Sequence, residues 1–271
     1  MTLRLFCLCF FLSLTPKGWA LEADRFFYSG DGKLQVEGGQ KKLDHFSGRL
    51  IALLDYLEEH WGSRNEKIKI LSGYRSPEYN DGLRRQGRLA GKASLHMEGM
   101  AADFVMKGVP AKTIWDYVRT LNCCGVGFYH GDAVHIDTGP PRFWDEKSSK
   151  VGTDISLHNK TIWLTTLFDI YQPGEAVVFN IVRITEYPFG IKKNLEIQRD
   201  GKTIATVSLP NTPDCLMIQK REEGQNFSLS LLEGKIPYGE KLKIKASFCN
   251  KPSPEMPDAT LSNPFTIASP G

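Results

Sequence analysis

The sequence predicts an α+β domain ending near Trp144, followed by an all-β sandwich of immunoglobulin-like type. Three observations carry this reading. Residues 42–144 mix apolar positions at three-and-four spacing with short alternating runs. A charged stretch, Asp145 to Lys150, then interrupts the pattern. Beyond it the chain is a series of short β-rich runs separated by turn residues, with almost no helical periodicity. The expected boundaries are a leader over 1–20, a first domain over 21–150 and the sandwich over 151–271.

Within the first domain, Phe46, Leu50, Leu53, Leu54, Leu57 and Trp61 form one apolar face of a helix over 42–62, closed by Gly62. Lys67 to Ser72 alternates as a strand, and Gly73 to Asn80 forms a turn because Pro77 cannot continue a ladder. A helix is expected over about 78–89, a strand over Met100 to Met106, and a helix over about 111–122 with Pro110 in its first turn. Val126 to His130 and Ala133 to Thr138 then read as two strands joined by a tight turn at Gly131 and Asp132. The sandwich runs are Trp163–Tyr171, Ala176–Ile184, Leu195–Ile197, Thr203–Leu209, Leu216–Gln219, Phe227–Leu231, Lys241–Phe248 and Phe265–Ala268. With one histidine, His158, and no cluster of catalytic groups, this half reads as a binding or spacing module.

The 271 residues are 41% hydrophobic and 24% charged, an ordinary globular composition that argues against disorder. Arg4 starts an apolar run, Leu5 to Leu14, and Gly18-Trp19-Ala20 offers small residues for cleavage, the pattern of a secretory signal. The run is about ten residues, whereas a bilayer span needs ~20, so no stable membrane span is expected after processing. The formal charge is +3, and losing Arg4 and Lys17 with the leader leaves about +1, which points to neither a nucleic-acid nor a polybasic membrane partner.

Cys7 and Cys9 leave with the leader, so four of six cysteines remain. A disulfide between Cys215 and Cys249 fits an oxidising compartment. Neighbouring Cys123 and Cys124 rarely pair easily, no Cys-x-x-Cys spacing suggests a thiolate metal site, and their redox state stays open.

The chemistry-bearing segments are Ser94 to Asp103 (SLHMEGMAAD) and Val134 to Gly139 (VHIDTG). His96, Asp103 and His135 are good zinc ligands, and three protein ligands leave one position for water, as in a catalytic site. In a strand through 100–106, Asp103 points away from Phe104, while His135 and Asp137 project together opposite Val134 and Ile136. The spacing alone also suits a chance arrangement, since a lone histidine is more often a satisfied core or surface group.

Linked motifs go further. Ser72-Gly73-Tyr74-Arg75-Ser76-Pro77 with Asn80, Ser94-x-His96-x-x-Gly99-x-Ala101-x-Asp103, Gly125 to Tyr129, and Val134 to Gly139 with Arg142 and Trp144 together resemble the M15-type peptidases, in the branch of murein endopeptidase K. The resemblance covers about residues 42–146. It implies a hedgehog/D-Ala-D-Ala-peptidase fold, Zn2+ held by His96, Asp103 and His135, and peptidoglycan stem peptides or cross-links as substrate. It also implies a substrate or oxyanion role for Arg75, beside its alternative use as an anchor of the turn.

Two aspartates stand as the catalytic base. Asp132 lies three residues before His135, as the base does in several such enzymes, and serves only if the Gly131 turn brings its carboxylate round. Asp137 shares the face of His135 and either acts as base or orients that ligand. Ser94 binds near substrate or ligand, or caps a turn, and Arg142 with Trp144 reads as a structural clamp. His130 and Glu98 are read as non-ligands, there being no His-Glu-x-x-His motif. The expected protein is an exported, periplasmic or secreted zinc peptidase; the alternative is an inactive zinc-containing module that binds cell wall or a partner.

Overall fold

The computed structural model describes residues 22–61, 67–88, 90–149, 155–231 and 236–270. The expected leader, the Gly62 helix stop and the junction at 150–154 lie outside the described residues. Among those described, no helix is long and apolar enough to cross a membrane.

Helix α1 (Gly48–His60) is shorter than the 42–62 periodicity suggests. Its start is set by Ser47, whose hydroxyl accepts from the Leu50 amide at 3.3 Å, and by His45, whose φ of 67° cannot continue a helix. Strand β1 (Ile68–Ser72) follows, and α2 (Pro77–Arg85) begins inside the expected turn, with Ser76 as cap and Pro77 in the first turn. Strand β2 (Ala101–Met106), α3 (Ala111–Leu121), β3 (Gly125–Phe128) and β4 (Val134–Asp137) match the expected order. Strand β5 (Arg142–Asp145) was not foreseen; it pairs parallel to β3, and the Trp115 indole of α3 donates to the Trp144 carbonyl at 3.1 Å.

These strands form one sheet in the order β1-β2-β4-β3-β5. Its two faces divide the labour, because side chains alternate along each strand. Ala102, Phe104, Val126, Val134 and Ile136 bury against Leu50, Leu54, Leu57, Ile114 and Val118 of the helices. The opposite face carries Asp103, His135, Asp137, Gly125 and Gly127, brought side by side by the registers Asp103↔His135, Gly127↔His135 and Gly125↔Asp137.

The second half is built of β6 (Trp163–Thr166), β7 (Ile170–Tyr171), β8 (Val177–Val182), β9 (Phe189–Lys192), β10 (Asn194–Arg199), β11 (Lys202–Ser208), β12 (Cys215–Ile218), β13 (Phe227–Leu229), β14 (Lys243–Asn250), β15 (Ala259–Leu261) and β16 (Thr266–Ile267). They make a larger sheet ordered β11-β10-β14-β9-β12 with β15 beside β14, a sheet β13-β8-β6, and the parallel pair β16-β7. Strands β9 and β15 lie outside the runs expected from sequence. Phe179, Phe189, Ile191, Ile244 and Phe265 belong to a core of their own. Cys215 and Cys249 are joined, tying β12 to β14, and Cys123 is bonded to Cys124. The whole is α+β, sheet-rich with few helices.

Polar groups lock the halves together. Arg49, in the first turn of α1, donates to Asp169 Oδ1 at 2.8 Å, Thr165 Oγ1 at 2.9 Å and the Thr166 carbonyl at 2.8 Å. The Arg49 and Asp169 side chains are only 13% and 7% exposed. Removing one partner of a buried pair strands the other charge. Arg49→Met is therefore expected to cost about 3–5 kcal/mol in urea denaturation, with the two halves unfolding less cooperatively.

Candidate metal centre

Three side chains converge on the open face of the first sheet. His96 comes from a short 3-10 helix, Leu95–Glu98, whose C-terminal Gly99 has φ 64° and leaves no room for a Cβ against the His45 carbonyl. Asp103 and His135 face each other across β2 and β4. Their ligand atoms all lie within 4.8 Å of one another, and all three residues are buried.

The donor atoms are set by what each imidazole does with its other nitrogen. His96 Nδ1 lies 2.8 Å from the Gly73 carbonyl, which can only accept, so Nδ1 carries the proton and Nε2 is free to ligate. His135 Nε2 lies 2.9 Å from Asp137 Oδ2, which leaves Nδ1 facing the site. His135 Nδ1 is 2.9 Å from Asp103 Oδ1, and His96 Nε2 is 3.6 Å from Asp103 Oδ2. Two ligands each ~2.0–2.1 Å from one tetrahedral zinc stand about 3.3 Å apart, so this nitrogen and oxygen set fits the ion.

The supporting groups are equally ordered. Asp137 has no exposed surface and accepts from Arg142 Nη1 and Nη2 at 2.9 and 2.7 Å and from the Gly139 amide at 2.9 Å, besides His135. Burial alone would raise its pKa, but Arg142 and His135 hold it well below the usual carboxylate range. Gly125 is required opposite it, since a Cβ there would overlap the Asp137 carboxylate. Gly127 likewise lies under the Trp144 indole, which packs 5.6 Å from the His135 ring.

Arg75 donates through Nη2 to Asp103 Oδ2 at 2.9 Å and through Nε to Ser72 Oγ at 2.9 Å, while its amide bonds the His96 carbonyl at 3.1 Å. It thus touches the centre and anchors its own loop. Tyr129, given no role from sequence, donates its hydroxyl to Asp103 Oδ1 at 3.0 Å. Burial and the neighbouring Asp103 charge push its pKa up, so it remains a donor. Its signal was available: Gly125, Gly127 and Tyr129 alternate onto the same face as Asp103 and His135.

The remaining expected residues make no hydrogen bond to His96, Asp103 or His135 among the described residues. Asp132 is exposed in the 129–133 connection and makes no hydrogen bond or ion pair among the described residues. Ser94 sits at the start of the His96 turn without capping it. His130 bonds Asp145 Oδ1 at 2.8 Å, and Glu98 pairs with Arg221 of the second half at 3.1 Å. Arg221 also reaches the Met97 carbonyl at 3.3 Å, so the second half braces the turn that carries His96.

A family model described as Peptidoglycan L,D-endopeptidase MepK matches residues 37–144. The "Peptidoglycan L,D-endopeptidase MepK" of Escherichia coli K12 is 35% identical over 130 residues, 44% of this chain and 70% of that protein. This chain belongs to the M15-type murein endopeptidase K family. The "Probable peptidoglycan L,D-endopeptidase MepK" of Haemophilus influenzae is 39% identical over 89 residues, 32% of this chain. The match spans about half, 48%, of that relative's length. No solved structure matches. M15-type peptidases are zinc-dependent hydrolases, and the buried His96, Asp103 and His135 cluster fits that cofactor.

Without metal, burial works against a charge on His135, but Asp103 and Asp137 raise its pKa to about 9. Burial lowers that of His96, and hydrogen bonds from both histidines keep Asp103 ionised against its own burial. Only His135 must then lose a proton to ligate. Zinc titration calorimetry at pH 6, in buffers of different ionisation enthalpy, is expected to show release of about one proton, with affinity rising as pH approaches 9.

Proposed function

We propose that this chain is an exported L,D-endopeptidase that hydrolyses amide bonds in peptidoglycan peptides. The observation that carries the reading is the buried His96, Asp103 and His135 cluster, in which each imidazole has its second nitrogen committed to Gly73 or Asp137. The relatives' names favour an endopeptidase over a carboxypeptidase. We assign residues 21–150 to a hedgehog/D-Ala-D-Ala-peptidase-like domain and 151–271 to an immunoglobulin-like accessory sandwich. The separate cores and the change from mixed to all-β structure support this division. Cleavage of a wall polymer and the signal-like residues 1–20 favour periplasmic or secreted action.

His96, Asp103 and His135 hold the zinc. Bound there, it supplies Lewis acidity, polarising a carbonyl and lowering the pKa of water toward ~7. Asp137 is the residue that orients His135, because its oxygens are already bonded and it has no exposed surface. Asp132, three residues before His135 in the connection from β3 to β4 and without a hydrogen bond or ion pair among the described residues, is the group assigned to take the proton from the attacking water. Arg75 steadies Asp103 and presents its remaining guanidinium donors to a substrate carboxylate or to negative charge growing on the carbonyl oxygen. Tyr129 holds the other Asp103 oxygen, and Ser94 lines the approach to the His96 turn.

The test is digestion of cross-linked peptidoglycan by the zinc-loaded protein, with muropeptides identified by mass spectrometry. Metal-dependent release is expected, and it should disappear in His135→Ala. Asp132→Asn is expected to lose ~10²–10⁴-fold in kcat with zinc affinity kept, and Asp137→Asn to lose ~10–100-fold in zinc affinity. Absence of product from folded, zinc-bound protein on several wall types would sink the peptidase and leave a zinc-containing wall-binding module.

A further inference from the structure

We propose that the cavity between the two halves is a second binding site, for a short acidic peptide. It has a volume of 620 Å³ and is lined by Phe27, Tyr28, Trp163, Lys241, Lys243 and the segment from Thr138 to Pro141. None of His96, Asp103, His135 or Arg75 lines it, so it is separate from the metal centre. Its size falls within the ~300–1,000 Å³ of small-ligand sites, which occur preferentially where two domains meet.

The chemistry of the walls selects the occupant. Arg49 and Asp169 also line the cavity, but they neutralise each other at 2.8 Å. Lys241 and Lys243 are exposed and flank buried Leu242, so both extend on one side of an extended segment. Neither ammonium meets a carboxylate among the described residues; that of Lys241 lies 5.2 Å over the Phe27 ring. Residues two apart in an extended chain stand roughly 6–7 Å apart, a span suited to two carboxylates on one peptide. Phe27, Tyr28 and Trp163 give the cavity apolar surface for the aliphatic parts of such a ligand.

One further group is left without a role by the fold itself. Thr138 is 4% exposed, lines the cavity, and its buried hydroxyl finds no hydrogen-bond partner among the described residues. A buried hydroxyl without a partner is costly, and rotation of the Thr138 side chain to turn it into the cavity would let a peptide amide or carboxylate satisfy it. Pro140 and Pro141 fix the backbone of the adjoining wall, beside Cys123 and Cys124. The identification of the occupant with wall peptide rests on the function proposed above; the acidic, partly apolar character does not.

The experiment is calorimetric titration of the metal-free full-length protein, which cannot turn over, with a soluble tetrapeptide released from peptidoglycan and with its carboxyl-amidated form. Saturable binding of the acid is expected, weakened tenfold or more in the Lys241→Glu/Lys243→Glu variant, with the amidated form binding far more weakly to wild type. Equal affinity in wild type and variant, equal binding of acid and amide, or no binding to folded wild type would overturn the proposal. Wall digestion by the zinc-loaded wild type separates the two claims. Digestion without lysine-dependent binding removes only the cavity site, and lysine-dependent binding without digestion removes only the peptidase.

Discussion

Burial of one fully hydrogen-bonded carboxylate, that of Asp137, is the constraint on which the rest of the centre depends. A buried carboxylate persists only when its lone pairs are met, and here Arg142, the Gly139 amide and His135 meet them. That bond fixes which nitrogen of His135 faces Asp103. The chain paid for it in side chains: Gly125 and Gly127 are bare because the Asp137 carboxylate and the Trp144 indole occupy the space above them.

The same logic explains why the first sheet must be sided. Alternation sends Phe104, Val134 and Ile136 into the helices, and the apolar contact fixes the register of β2 and β4. A slip by one residue would bury Asp103 and His135 among leucines. The candidate metal centre is thus positioned by packing on the face it does not occupy. His96 reaches it from a turn, interlocked with the Gly73–Arg75 loop through two hydrogen bonds and braced from the far half by Arg221. Functional groups carried on a turn are held here by bonds to neighbouring elements.

Much of this was legible from residues. The alternation around Asp103 and around His135 gives their common face, and the strand and helix order of the first half follows from periodicity. The helix start at Ser47 was hidden because Leu43 and Phe46 continue the apolar pattern through a 3-10 turn and a left-handed His45. Strand β5 was hidden because Arg142 to Asp145 has no clean alternation; its parallel partner β3 and the Trp115 indole hold it. Tyr129 was overlooked because its pairing with Asp103 spans two strands. The bracing by Arg221 and the cavity at the junction depend on how the halves meet, which no local pattern encodes.

Backbone and carboxylate partners are expected to choose the ligating nitrogens. A crystal structure of the zinc-loaded protein, with anomalous scattering at the zinc edge, measures this directly. Zinc is expected on His96 Nε2, His135 Nδ1 and an Asp103 oxygen, with the Gly73 and Asp137 hydrogen bonds retained. Zinc bound through His135 Nε2, or lying away from these three residues, would contradict it.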